Sequence, residues 1–317
     1  MSVSAADSST STTPKEASRW WTWIGAALSI GLVATIVFQL GGVTGDVRKV
    51  LAGLPPAVWP TLLLLYLVQP LCDLAVFRRL WGLPLAGFEA LLRKTVINEV
   101  VLGYSGEAYL YVWARRAARS VVAPFQAIKD ANIVSALLGN LATLGLAALS
   151  ATHLRELDLD QRLGPALWSG LIPVAISIGL LVFGRRVFSL SPGRLLFVGC
   201  AHALRLVVTI ALTALIWRMA LPQVAPDLWL VLLAVRYLVS RIPLLSNKEL
   251  VFGNLVLLLL GAHAPVAVLL AALALAMLFL HLAVIIALGA ADLVRALRAA
   301  ARATGGAAAA ETGATHD

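Results

Sequence analysis

The sequence predicts an all-α, polytopic membrane protein with six spanning helices, two re-entrant broken-helix hairpins and an inverted-topology repeat. Of the 317 residues, 60% are hydrophobic and only 13% are charged, whereas a soluble domain has about 25% charged residues. Several apolar runs reach the ~20 residues that cross a bilayer as a helix. The third observation is a pair of polar interruptions at matching places in the two halves, a pattern typical of transporters.

Apolar runs and their breaks give the order of the elements. The predicted spans cover residues 20–40, 57–77, 132–150, 165–183, 195–217 and 265–290. The hairpins cover 84–113 and 226–261, and neither arm of either hairpin is long enough to cross alone. Such open backbone is stable in a membrane only where protein or water shields it.

The remaining segments set the domain boundaries. Residues 1–18 are rich in Ser, Thr and Ala and are predicted to be a disordered cytoplasmic tail. Gly and Pro predict a loop at 41–56. The membrane domain is predicted at 19–290, with halves at 19–150 and 165–290. A basic amphipathic stub and a disordered tail are predicted at 291–317.

The distribution of Lys and Arg predicts the orientation. The net charge is +9, and most of the cations fall in short loops between spans, where they act as topology signals and contact anionic lipids. Nucleic acid is therefore not an expected partner. These residues concentrate on the side that carries both termini, so both termini are predicted to be cytoplasmic, in the cytoplasmic (inner) membrane. Each half has three spans, an odd number, which predicts that the second half is inverted.

The two interruptions match at a constant offset in the sequence. Glu107 and Glu249 lie 142 positions apart, and the same offset carries Lys94 onto Arg236. It also pairs Glu99 with Arg241. Each hairpin therefore has a cation before its break and a glutamate after it.

Charged residues at membrane depth predict a shared polar cavity. Each charge costs about 2.5–3.5 kcal/mol to insert at a helix centre, and an excess of cations favours an anionic head group, which Arg binds in a bidentate manner. The predicted binding residues are Arg93, Lys94, Asn98, Glu99, Ser105, Glu107, Arg205, Arg236, Arg241, Ser246, Asn247, Lys248 and Glu249.

Structural roles for the same residues remain open. Glu107 and Glu249 begin half-helices, where a carboxylate caps free N–H groups. Arg236 and Arg241 are equally suited to ion pairs with the nearby glutamates. Arg93 and Lys94 have stems long enough to reach the cytoplasmic head groups. The sequence has no His/Cys set with metal-ligand spacing, no phosphate-binding Gly loop and no nucleophile elbow, so no cofactor, metal or enzymatic activity is predicted.

The two breaks carry a family resemblance. Residues 98–116, with Gly106-Glu107 after the break, and residues 243–260, with Lys248-Glu249 after Ser246-Asn247, resemble the lysylphosphatidylglycerol synthase transmembrane (flippase) region family. The resemblance extends over about 20–290, although Leu110 and Tyr111 stand where the family often has Arg. It implies lipid translocation or handling by a stand-alone membrane protein without the aminoacyl-transfer domain.

These observations predict a carrier that moves an anionic or phosphate-bearing lipid between leaflets. The passenger classes are a phospholipid, a polyprenyl phosphate or a glycolipid, and transport proceeds by alternating access at the paired hairpins. The alternative is an accessory subunit that presents a lipid to a glycosyltransferase or a lipid synthase. The expected partners are the membrane, the anionic lipid and, in the alternative, a neighbouring lipid-modifying enzyme.

Overall fold

The computed structural model describes residues 44–117, 124–156, 179, 188–242, 245, 247–261 and 264–313. Throughout these ranges the regular structure is helical and no strand occurs, which confirms the all-α class. The helices are α1 (Thr44–Gly53), α2 (Val58–Trp81), α3 (Phe88–Val100), α4 (Ser105–Ala117), α5 (Pro124–Glu156), α6 (Pro192–Ala220), α7 (Pro226–Ser240), α8 (Lys248–Leu260) and α9 (Pro265–Gly313), with a 3-10 turn at Leu85–Gly87 before α3.

Four of these helices contain segments long and apolar enough to cross a membrane. The segments are Val58–Trp81, Pro124–His153, Pro192–Ala220 and Pro265–Arg298. They fall at four of the six predicted spans, and they identify the chain as a membrane protein by length and composition. The predicted spans at 20–40 and 165–183, like the predicted tail at 1–18, lie outside the described residues, apart from residue 179.

Proline marks where several helices begin. Helices α5, α6, α7 and α9 each begin at a proline, because the first turn of a helix leaves its N–H groups unbonded and proline has none to lose. The end of α2 is capped by a glycine. Gly82 adopts a left-handed conformation with φ of 72°, and its N–H donates to the Arg78 carbonyl at 3.0 Å, as a C-terminal cap does.

Two segments are more helical than the sequence predicted. The predicted loop at 41–56 is wrong, because α1 forms there and buries Val47, while Leu54 just after it is also buried. These apolar residues recur at helical spacing, which the Gly and Pro signals obscured. At the other end, α9 continues past residue 290 to Gly313 as one helix, consistent with the high helix propensity of its alanines.

The long and short helices occur in the same order twice. Helix α2 precedes the short pair α3–α4 and then α5, while α6 precedes the short pair α7–α8 and then α9. The packing repeats as well. The second short helix of each pair contacts the long helix that follows it, α4 on α5 and α8 on α9. The first short helix contacts the last helix of the other half, so α3 packs on α9 and α7 packs on α5.

The apolar core has two parts, one around each short pair. Around α3 and α4 the buried residues include Phe77, Leu91, Leu110 and Val198. Around α7 and α8 they include Ile216, Leu232, Phe252 and Leu269. Each short pair is therefore surrounded by long helices. In a membrane, surrounding protein of this kind is what shields the open backbone of a broken helix from lipid.

Gly106 lets α4 approach α3 closely, and this generates a first prediction. A Cβ at Gly106 would overlap the Lys94 carbonyl oxygen and lie 2.8 Å from Asn98 Oδ1. We expect Gly106→Ala to lower the free energy of unfolding by about 1–3 kcal/mol, the usual range for overpacking. Denaturant unfolding of the purified protein in detergent measures the change.

The matched control is Gly199→Ala on α6, where the nearest atom of the described residues to a new Cβ is Val134 Cγ1, at 4.0 Å. This variant should be neutral or slightly stabilising, because alanine restricts the unfolded chain. Equal stabilities of the two variants would contradict the close packing of α3 and α4.

Candidate functional site

The first break lies between α3 and α4 and is stabilised by Asn98. Four residues, Val101 to Tyr104, separate the helices, and Tyr104 has a φ of 71°, a strained conformation for a bulky residue. Asn98 Oδ1 accepts the Gly106 N–H at 2.7 Å, and Asn98 Nδ2 donates to Glu107 Oε1 at 3.1 Å. The first break therefore covers residues 101–104, and Ser105 already belongs to α4.

Glu107 bonds side chains and not the start of its own helix. Lys94 Nζ lies 3.3 Å from Glu107 Oε1, while Asn98 supplies the cap of α4. The second oxygen, Oε2, is buried and has no hydrogen-bond partner within the described part of the chain. Among these residues the geometry favours the ion-pair alternative for Glu107 over the capping alternative.

Lys94 also forms an ion pair with a residue of a spanning helix. Its Nζ lies 2.7 Å from Asp73 Oδ2 of α2, and both side chains are buried. Asp73 Oδ1 accepts from Gln69 Nε2 at 2.9 Å, and Gln69 Oε1 accepts from Arg205 Nη1 at 2.6 Å. Arg205 Nη2 then donates to Ser135 Oγ of α5 at 3.2 Å. A continuous chain of polar contacts therefore links the first hairpin to α2, α6 and α5.

The second hairpin contains the equivalent ion pair. Arg236 of α7 binds Glu249 of α8 with two contacts, one of which joins Nε to Oε2 at 3.1 Å. Lys94–Glu107 and Arg236–Glu249 occupy matching positions of the repeat, since each glutamate follows its cation by 13 residues. The offset found in the sequence thus reflects the same kind of ion pair, a cation with a glutamate, which occurs once in each hairpin.

A backbone hydrogen bond joins the two breaks. The N–H of Asn247, directly before α8, donates to the Glu99 carbonyl at 2.8 Å. Asn247 adopts a left-handed φ of 49°, is buried, and its Nδ2 has no acceptor among the described residues. The Glu99 side chain interacts electrostatically with Lys248, Glu249, Arg236 and Glu107. The glutamates of both hairpins therefore belong to one charged cluster.

The structure separates Arg93 from this cluster. Arg93 Nη2 lies 2.7 Å from Asp292 Oδ2 and 3.2 Å from the Leu288 carbonyl of α9, and a role of Arg93 in binding stays a prediction. Neighbouring residues of a helix point about 100° apart, and Lys94 takes the inward direction. Arg295 of α9 lies on the same outer surface and binds Glu89 at 2.7 Å.

The other predicted residues occupy distinct places around the breaks. Ser105 Oγ donates to the Ile97 carbonyl at 3.3 Å, so it bridges the first break. Arg241 follows the last residue of α7, and Lys248 is the first residue of α8. Ser246 lies outside the described residues. Asp73, Gln69 and Ser135 are not among the predicted binding residues, and the sequence signal for each was only a polar side chain within a predicted span.

A small cavity adjoins the second ion pair. Its volume is about 30 Å³, which is room for about one water molecule, and it is lined by Arg236 and Glu249 together with Thr213 and apolar residues of α2, α6, α8 and α9. The Thr213 hydroxyl is buried and has no partner in the described ranges. The ion pair therefore faces a narrow, mostly apolar space between the spanning helices.

Comparisons with known proteins identify no family for this chain. No family model matches the sequence, no curated protein is similar to it, and no solved structure resembles it.

The buried Lys94 leads to a second prediction. Lys94→Met keeps most of the side-chain length but leaves the Asp73 and Glu107 carboxylates without their cation. Breaking a buried ion pair from one side costs about 3–5 kcal/mol, and we expect a loss of this size in detergent unfolding. Asp73→Asn, added to Lys94→Met, should recover part of the loss because it removes one unpaired charge.

Arg48→Met on the exposed surface of α1 is the matched control and should change stability by less than about 0.5 kcal/mol. If Lys94→Met were as stable as this control, the Lys94 contacts would not contribute to the fold.

The surface pair between α3 and α9 leads to a pH prediction. The hydrogen bond from Arg295 lowers the pKa of the exposed Glu89 carboxyl. The stability that it contributes is therefore present above the unfolded-state pKa and is lost as pH falls through the lower folded-state pKa. We expect Glu89→Gln to cost less than about 1 kcal/mol at neutral pH, as for exposed pairs. Unfolding at stepped pH values should show this difference vanish in acid, and a constant difference would contradict it.

Proposed function

We propose that this protein moves an anionic, phosphate-bearing lipid between the leaflets of the cytoplasmic membrane, by alternating access at its two broken hairpins. The observation that carries the proposal is the hydrogen bond between Asn247 and Glu99, which joins the two breaks within one charged cluster. Ionisable residues grouped among apolar spanning helices are characteristic of substrate pathways, because isolated charges there are costly.

The repeated architecture supports alternating access. Both halves place a broken short pair between long helices, and each pair contacts the last helix of the other half. We propose that the halves are inverted, with both termini cytoplasmic, and that the hairpins are re-entrant. Rocking of one half against the other around the joined breaks would then expose the cluster to each side in turn.

The apolar surface of the long helices, together with the charged cluster, favours a lipid over a soluble solute. The long helices expose large apolar side chains, such as Leu196, Leu204 and Val207 of α6, which suit contact with acyl chains. A head group would cross through the charged cluster while its tails remain in the bilayer. We further propose that the protein resembles the flippase regions of lipid synthases in this function.

The test is transbilayer movement of a labelled lipid in vesicles that contain the purified full chain. Fluorescent phosphatidic acid or phosphatidylglycerol in the inner leaflet becomes accessible to an impermeant quencher only after it crosses the bilayer. We expect protein-dependent movement of these lipids. If no anionic lipid moves, while the lipid still binds, transport is excluded and the accessory-subunit hypothesis gains support.

Variants of the paired glutamates provide the mechanistic prediction. Glu107→Gln and Glu249→Gln keep the volume and a hydrogen-bond acceptor but remove the charge that each hairpin pairs. We expect each variant to slow transport about tenfold or more, the equivalent of one lost charge-assisted hydrogen bond.

Glu89→Gln is the matched control, because Glu89 pairs with Arg295 on the outer surface, away from the breaks. It should transport at the wild-type rate. Normal transport by both Glu107→Gln and Glu249→Gln would assign the two ion pairs a purely structural role.

A further inference from the structure

The cations around the breaks divide into two classes by their partners. Lys94 and Arg236 are each paired with carboxylates. Arg205, Arg241 and Lys248 have no carboxylate within 4.0 Å in the part of the chain that the structure describes. The cations that are paired with carboxylates stabilise the fold of each hairpin. The cations without a carboxylate leave positive charge that an anionic ligand can neutralise.

Arg205 and Arg241 show this surplus most clearly. Among the described residues, the Arg241 Nε and Nη2 atoms donate to the hydroxyl of the adjacent Ser240, at 3.1 and 3.0 Å. Its electrostatic neighbours are Tyr104, Tyr237 and Arg205, a like charge. Arg205 bonds the neutral side chains Gln69 and Ser135, and its Nε is buried without an acceptor in the described ranges. Two guanidinium groups that repel each other are stabilised when an anion lies between them.

A glycine of α5 allows Arg241 to take this position. A Cβ at Gly139 would overlap Arg241 Nη1, so the guanidinium lies against α5 in space that a larger residue would fill. At Gly145 on the same helix, no atom of the described residues lies within 4 Å of a Cβ. A larger residue at Gly139 would therefore shift the Arg241 guanidinium, whereas one at Gly145 would not.

The start of α8 adds further donors beside the same cations. Lys248 is the first residue of this 13-residue helix, and it interacts electrostatically with Glu99 and Arg241. Asn247 is buried just before Lys248, and its Nδ2 group has no acceptor among the described residues. Helix N-termini carry free N–H groups and partial positive charge, so the start of α8 adds donors here, and the carboxylates of Glu99, Glu107 and Glu249 lie close enough to interact with Lys248.

We infer that Arg205, Arg241 and Lys248 form the phosphate-binding site of the transported lipid, with Asn247 and the N-terminus of α8 as additional donors. Two planar guanidinium groups, an ammonium and an amide approach from several elements, which suits the tetrahedral oxygens of a phosphate better than a planar carboxylate. The inference rests on the proposed function for the lipid identity of the ligand, while the anion site stands on these contacts alone. Lys94, Arg236 and their glutamates then act as positioning residues.

Binding is measured on the purified full chain in detergent, without transport. The probes are dihexanoyl phosphatidic acid, inorganic phosphate and dihexanoyl phosphatidylcholine, and the readout is the ligand-dependent rise in unfolding temperature. Phosphatidic acid should stabilise the protein in a saturable manner, and phosphatidylcholine should do so much less. Stabilisation by inorganic phosphate but not by phosphatidic acid would overturn the lipid ligand, and no stabilisation by either would overturn the site.

Charge-neutralising variants test the residues. Arg241→Gln and Lys248→Gln should each raise the apparent Kd for phosphatidic acid about tenfold or more. Without ligand, Arg241→Gln should be as stable as the wild type or more stable, because it relieves repulsion from Arg205. The control Arg298→Gln makes the same charge change on the exposed surface of α9 and should leave the Kd unchanged. Equal effects of all three variants would indicate non-specific attraction, and lower stability without ligand would indicate a structural role.

Gly139→Ala tests the geometry without changing any charge. It should displace Arg241 and weaken binding of phosphatidic acid, whereas Gly145→Ala on the same helix should not. Equal affinities of these two variants would contradict the placement of Arg241. The outcomes also separate the two proposals: saturable binding without transport would retain the site and reject the carrier, while transport that is insensitive to Arg241→Gln would retain the carrier and reject the site.

Discussion

The structure depends on the hydrogen bond that the Asn247 N–H donates to the Glu99 carbonyl. A helix that is broken within an apolar environment leaves carbonyls at one end and N–H groups at the next start, and each unsatisfied group is costly. Here the end of α3 and the residue preceding α8 satisfy each other at 2.8 Å. The two breaks therefore stabilise one another, and the charged residues beside them are brought into one cluster as a consequence.

The two halves share an ion pair as well as a similar pattern of hydropathy. In each hairpin a cation of the first short helix binds a glutamate of the second, 13 residues later. The pair closes each hairpin across its own break. The halves differ in what surrounds the pair, since Lys94 also binds the buried Asp73 of α2, whereas Arg236 and Glu249 border a small apolar cavity.

Charge balance distinguishes residues that hold the fold from residues that remain available to a ligand. Paired charges such as Lys94 and Glu107 contribute to the fold, and their separation would be strongly destabilising. Arg205 and Arg241 lack a carboxylate among the described residues and interact unfavourably with each other. Proteins tolerate such an arrangement at binding sites, where stability is exchanged for function.

The sequence by itself determined the helical membrane class, the position of four spanning helices and both interruptions, because hydropathy and helix breaks are local properties of the chain. It also determined the equivalence of Lys94 with Arg236 and of Glu107 with Glu249. Only the tertiary structure decided the partners: Lys94 faces Asp73 while its neighbour Arg93 faces Asp292, and Arg241 lies against Gly139. These outcomes depend on the rotation of each helix about its axis and on the approach of segments 21 to 199 residues apart, which no local pattern specifies.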